Sequence, residues 1–271
     1  MSKYKIVFDN QCAACSLGVR SLTRMGLMNS NSSIDLESFM ENDIACNVDP
    51  IRACDEMAVI NKDTLEVSYG YDGYVNLFIE KYPILGKIMR NRVIKWIFNP
   101  YYLFFASNRR ILAPLTPTET TCQPTLKKNF RFGLIFLVAL YAGVITYIKG
   151  GILQNSEWFS FLSPWKLISI TGVGWLITGL LYNGKEKWDY WGHLSVIAGT
   201  AIFIQTIALV GYYFFPSFFW VIGSMLLSDF VMIWMHYKRI KLIGESQKQT
   251  IIWWLILHLS AIALITFYFL Q

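Results

Sequence analysis

The chain has 271 residues, of which 54% are hydrophobic and only 15% charged, with a formal net charge of +6. Soluble domains carry nearer a quarter charged residues, so the composition excludes a wholly soluble globular protein. The positive balance does not point to nucleic acid: the prominent Lys and Arg residues flank apolar spans, and no interleaved basic-aromatic motif is present.

The polarity is unevenly spread. Residues 1–130 read as an ordinary globular domain, and residues 131–271 are almost wholly apolar with charge confined to short gaps. Lys3 and Lys5 are followed by only Ile6-Val7-Phe8, too short for the apolar core of a signal peptide. The N-terminal domain is therefore expected on the side of the membrane where it is made. Tyr4 to Phe8 reads as a buried strand, and Cys12 to Met28 has helical spacing with an apolar stripe of Leu17, Val19, Leu22 and Met25. A second strand is predicted over Ser33 to Leu36 and a short helix over Asp49 to Cys54. Met57 to Asn61 and Leu65 to Tyr69 flank Asn61-Lys62-Asp63, a turn composition that predicts a hairpin. Helices are predicted over Asp72 to Tyr82, Ile84 to Asn91 and parts of Val93 to Ser107. This order of elements is that of a thioredoxin-like α/β domain, here assigned to residues 1–110.

Residues 111–130 hold Pro114, Pro117 and Pro124 among threonines and read as a semi-extended linker. Beyond it, apolar stretches at Phe132 to Ile148, Trp165 to Tyr182, Trp191 to Phe215, Phe218 to His236 and Ile251 to Leu270 predict an all-α bundle of about five transmembrane helices over residues 131–271. Nine Lys or Arg residues border the spans on one side (Lys127, Lys128, Arg131, Lys185, Lys187, Lys238, Arg239, Lys241 and Lys248), against Lys149 and Lys166 on the other. The positive-inside rule then predicts a multi-pass inner-membrane protein with a cytoplasmic N-terminal domain and Gln271 on the opposite side.

All five cysteines, Cys12, Cys15, Cys46, Cys54 and Cys122, precede the apolar half. In a reducing compartment a close pair points to catalysis or metal rather than a structural staple. Cys12-Ala13-Ala14-Cys15 follows a strand and opens a helix. There, free backbone N–H groups and the positive end of the helix dipole stabilise a thiolate. Cys12, nearer the helix end, is the expected nucleophile, and Cys15, one turn on, is placed to resolve a mixed disulfide. Asp9 is close enough to shift either thiol and to relay the proton of Cys15. Zinc is the competing reading, because two thiolates at this spacing often bind it. A closed site needs two more ligands; Cys46 and Cys54 are separated by seven residues, not a knuckle spacing, and the domain has no His. Cys46, Cys54 and Cys122 read singly as small core residues. A phosphotransfer domain of the haloacid dehalogenase type wants a second Asp two residues after Asp9, where Gln11 stands. No metal and no cofactor are assigned.

These residues resemble a known family. Asp9-x-x-Cys12-x-x-Cys15, then Gly70-Tyr71-Asp72-Gly73, then Tyr102-Leu103-Phe104-Phe105-Ala106-Ser107-Asn108-Arg109 are similar, in order, to the motifs of the thiol-disulfide oxidoreductase DCC family. The resemblance covers roughly residues 4–110. It implies a thioredoxin-like fold, disulfide reductase activity and a protein or small-molecule thiol or disulfide partner. Gly73 departs from the family's Ala, and the proline that thioredoxins place before the third strand is missing, since Asp55-Glu56-Met57 stands there.

No cysteine follows Cys122, so the apolar half cannot run a thiol relay by itself. Its polar residues are costly in a bilayer and are functional candidates by default. They are His193, Gln205, Asp229, His236 and His258. His193, Asp229, His236 and His258 are expected to converge in the cytoplasmic half of the bundle, as a ligand site or as interfacial and structural pairs. Gly172, Gly174, Gly179 and Gly199 predict close helix packing. Besides the bilayer, a membrane-protein partner or a second copy of the chain remains open as a partner class.

Overall fold

The computed structural model describes residues 3–36, 47–114, 124–157 and 159–243. The chain forms two compact units, Met1–Arg131 and Phe132–Gln271.

In the first unit, strands β1 (Tyr4–Phe8), β2 (Ser33–Asp35), β3 (Ala58–Asn61) and β4 (Val67–Tyr69) build one mixed sheet in the order β2-β1-β3-β4. β1 runs parallel to β2 and antiparallel to β3, pairing Ile6 with both Ser33 and Val59. Helices α1 (Ala13–Arg24), α2 (Pro50–Asp55), α3 (Gly70–Lys81), α4 (Pro83–Arg90) and α5 (Arg92–Leu112) complete a thioredoxin-like unit. The central strand explains the layering. Neighbouring side chains of a strand point to opposite faces. Ile6 therefore enters one core with Val19, Leu22, Val59 and Leu77, while Val7 enters another with Val48, Ala53, Ala58 and Ile60. Burial on both sides is why β1 and β3 read as continuous apolar runs rather than alternating ones.

Several boundaries differ from the sequence expectation, two of them for a backbone reason. α1 stops at Arg24 rather than Met28, because Gly26 takes φ +66° and the Leu27 N–H turns back to the Leu22 carbonyl (2.9 Å). Of the expected stripe, Val19 and Leu22 are buried, whereas Leu17 and Met25 are exposed. β4 starts at Val67 rather than Leu65, since Leu65 sits at φ +58° and closes the turn onto the Asn61 carbonyl. α5 runs unbroken through Pro100 to Leu112, where only parts of a helix were expected, and shortens the linker from its N-terminal end. α2 is capped by Asp49, whose carboxylate accepts the N–H groups of Ile51 (2.9 Å) and Arg52 (3.1 Å), with Pro50 in the first turn.

Two glycines bring α3 close to the sheet. A Cβ on Gly73 would lie 2.7 Å from Val59 Cγ2, which accounts for glycine where the resembling family has alanine. Gly70 has φ +55°, and its Cβ would run into Glu56 and lie 2.7 Å from the Tyr102 ring. Gly70→Ala is expected to destabilise this unit by about 2 kcal/mol or more, from left-handed strain plus overlap. Amide exchange over the first turn of α3 would read the loss.

In the second unit, α6 (Lys128–Gln154, which begins in the first), α8 (Lys187–Phe214) and α9 (Phe218–Ile240) fall on helices long and apolar enough to cross a membrane. α7 (Pro164–Leu180) has 17 residues, about 25 Å of helix against a hydrocarbon core of about 30 Å. The fifth predicted span and His258 lie outside the described residues. α8 and α9 pack against each other with Gly211 facing the Trp220 ring. Gly179 lies against Trp191 and Gly199 against Val138, and among the described residues a Cβ added at Gly172 or Gly174 would meet nothing within 4 Å.

Candidate functional site: a dithiol braced by the last helix of the N-terminal unit

The chain leaves β1 at Phe8 and turns immediately into α1. Asp9 Oδ1 accepts the Gln11 N–H (3.0 Å), and the Asp9 carbonyl accepts the Cys12 N–H (3.2 Å). Asn10 is tied to the end of β2 through its backbone N–H and side chain, both donating to Asp35. The turn is thus fixed by its own side chains, and it places Cys12 at the N-cap of α1.

In this position Cys12 Sγ accepts the backbone N–H of Cys15 at 3.3 Å. Cys12 and Cys15 are both free thiols. The Cys12 thiol is lowered from 9.0 to about 6, chiefly because the Cys15 S–H donates to it, helped by the Cys15 N–H and the Arg109 charge against burial and Asp9. The Cys15 thiol is pushed far up by the same bond and by burial. One proton shared between two sulfurs favours a thiolate on Cys12 and a thiol on Cys15. As whole residues, Cys12 is buried and Cys15 half-buried. Asp9 acts on both thiols through its charge, in the direction that disfavours the thiolates.

The loop between α2 and β3 lies beside the dithiol helix: the position where Gly18 would carry a Cβ is 3.7 Å from Met57 Cε and 3.5 Å from the Tyr74 hydroxyl. This loop is where thioredoxins carry the cis-proline, and among the described residues there is no cis peptide bond. Here the Met57 N–H donates to the Tyr102 hydroxyl (3.2 Å), and the Met57 carbonyl accepts from the Gly70 N–H (2.9 Å). Both backbone groups are therefore spent within the unit. Arg109, itself buried, donates Nη1 to the Asp55 carbonyl (3.1 Å) and Nη2 to the Cys54 carbonyl. Asp55 in turn accepts both the N–H and the hydroxyl of Thr125.

Tyr102 and Arg109 are seven residues apart, two turns of α5, and so share a face. That face braces the loop opposite the cysteines. The sequence marked both residues as parts of a motif but assigned neither a role; their spacing was the available signal. Cys54 is also disulfide-bonded, not the inert small residue expected from sequence, and this removes it from any zinc ligand set with Cys12 and Cys15. Among the described residues no three His, Cys, Asp or Glu side chains group as a metal site.

Residues 6–113 match the model of the DCC1-like thiol-disulfide oxidoreductase family. The match covers all of the sheet but the first two residues of β1, the dithiol and the bracing helix, and ends one residue past α5. No curated protein and no solved structure matches the chain. The DCC1-like domain thus unites the three motifs in one place: the first supplies the thiols, the second the close turn of Gly70 and Gly73, and the third the buried brace.

Of the polar residues of the apolar half, His193, Gln205, Asp229 and His236 are among the described residues and His258 is not. His193 and His236 are buried, and each has its own partner across α8 and α9. Arg239 Nη1 lies 3.1 Å from His193 Nδ1, and because a guanidinium only donates, that nitrogen accepts. His236 Nε2 lies 3.2 Å from the hydroxyl of Tyr190, which stacks on Tyr182 at 4.1 Å. Asp229 acts instead on Lys149 of α6, whose Nζ donates to Gln205 Oε1 at 3.1 Å. Asp229 and His236 are two turns apart on one helix, so each meets a different level of the neighbouring helices.

Proposed function

We propose that the chain is a membrane-anchored thiol-disulfide oxidoreductase whose Cys12 and Cys15 reduce disulfides on the cytoplasmic face of the inner membrane. The observation that carries this reading is the unequal dithiol at the N-cap of α1, with the thiolate favoured on Cys12. The Cys12 thiolate attacks one sulfur of a substrate disulfide, forming a mixed disulfide and releasing the first thiolate, which takes a proton. Cys12 then no longer accepts from Cys15, so the main cause holding the Cys15 proton is gone. Cys15 loses that proton, with Asp9 as its relay, and attacks Cys12 Sγ. The second substrate thiol leaves, and two electrons have passed from the dithiol to the substrate. The engaged backbone of Met57 supports a compact disulfide as substrate over an extended peptide paired strand-to-strand.

The charge asymmetry around the apolar helices supports a cytoplasmic domain. Arg131 and Arg239 on one side of the count and Lys149 on the other are buried, and the bias remains. With five spans Gln271 lies on the opposite side. Thiol trapping in intact cells, with permeant and impermeant alkylating agents, tests site and topology together. Cys12 should react with the permeant reagent only; reaction with the impermeant one reverses the orientation. On the purified full chain, the alkylation rate of Cys12 should rise with pH and reach half its plateau near pH 6. An unperturbed thiol would give a midpoint near about 8.5.

A further inference from the structure

The last two helices of the DCC1-like domain carry a surface that the dithiol chemistry does not use. α4 turns Gly86 inward against Ile79 of α3 and is tied by the Tyr71 hydroxyl to the Met89 carbonyl (2.9 Å). Its opposite side leaves Ile84 79% exposed, with Leu85 and Ile88 also exposed. α5, the next helix, carries a second exposed side: Val93, Ile97, Tyr101 and Phe105, four residues apart, line one exposed stripe, and Trp96 beside it is 77% exposed. Scattered surface apolar residues need no explanation, but exposed apolar sides on two successive, packed helices mark a docking face.

Charge identifies what it docks on. Residues 83–113 contain Lys87, Arg90, Arg92, Lys95, Arg109 and Arg110 and no Asp or Glu. Arg109 is spent on the bracing loop, Arg90 donates to Asn76, and Lys95 pairs with Asp72 at 2.7 Å. Lys87 and Arg92 are exposed at the border of the apolar stripe. An apolar face with Trp and Tyr, edged by cations and free of carboxylates, is the pattern of a helix lying in the headgroup layer of an anionic bilayer. A second copy of the same face would meet it with like charge. The chain itself supplies proximity. Leu112 ends α5 and Lys128 begins α6, and 16 residues reach at most about 55 Å when fully extended.

We propose that the exposed face of α4 and α5 lies on the anionic headgroup layer of the bilayer that the apolar half of the chain enters. This rests on the membrane reading of that half and not on the dithiol reaction. The docked face holds the domain against the membrane surface, so the dithiol meets substrates at the bilayer rather than in bulk solution.

The test uses the full chain in nanodiscs of phosphatidylcholine, with and without phosphatidylglycerol. Photoreactive benzoylphenylalanine replaces Trp96, or Thr64 in the hairpin turn as control. The expected result is lipid-mass adducts at position 96, severalfold more abundant with phosphatidylglycerol, and none at position 64. Lys87→Glu combined with Arg92→Glu should lower the adduct yield severalfold. Equal yields at the two positions, yields indifferent to anionic lipid, or adducts of protein mass at position 96 would each overturn the proposal. Failure of the chain to enter nanodiscs would instead overturn the membrane reading beneath it.

Discussion

Cys12→Ser is expected to abolish disulfide reduction by the full chain, with a loss of about a thousandfold or more, because the attacking thiolate is gone. Cys15→Ser should lose turnover almost as completely, but by another route. Cys12 still attacks, and no neighbouring sulfur releases the product, so a mixed disulfide with the substrate accumulates. A reducible mass increase on Cys12 in the Cys15→Ser protein, absent from Cys12→Ser, distinguishes the two roles. The covered position of Cys12 adds a constraint, since substrate must reach a residue that is 5% exposed. If Cys15→Ser forms no adduct and Cys12→Ser traps one, the half-buried Cys15 is the nucleophile and the assignment is reversed.

The second large effect is expected at Arg109. Arg109→Met leaves the carbonyls of Cys54 and Asp55 without their donor and removes a positive charge felt by both thiols. Losing hydrogen bonds from a buried guanidinium to two carbonyls should destabilise the N-terminal unit by about 3 kcal/mol. The charge loss should also move the midpoint of Cys12 alkylation upward, since Arg109 favours the thiolate. Arg109→Lys separates these effects. The charge returns, and with it much of the low midpoint, but a single ammonium cannot reproduce the planar fork that spans two carbonyls. A purely structural Arg109 would give two variants with equal midpoints and unequal stabilities.

Much of the N-terminal unit was legible because its signals are local. β1 announces itself as five residues with a buried centre, and the Asp9-to-Cys12 turn is built from neighbouring residues. The dithiol spacing also lies within one helical turn. The three family motifs could be matched in order without knowing where any of them meets another. The misjudged boundaries were also local in cause but invisible to apolar spacing. Gly26 and Leu65 adopt positive φ, and that choice ends α1 and delays β4.

Long-range contacts were not legible. Arg109 and Tyr102 reach a loop far back along the chain, and nothing in the spacing of either names Asp55 or Met57 as its partner. The polar residues of the apolar half show the same limit. Their cost in a bilayer singled out His193 and His236, but the partners Arg239 and Tyr190 depend on which helix faces which and at what height. Composition and periodicity by themselves determined that this protein joins a small α/β dithiol domain to an apolar helical half, because burial and helix-end chemistry act over a few residues. Only the tertiary structure decided what braces the loop beside the two thiols and which side chains the buried histidines meet. Those outcomes depend on distances between segments that the order of residues leaves free.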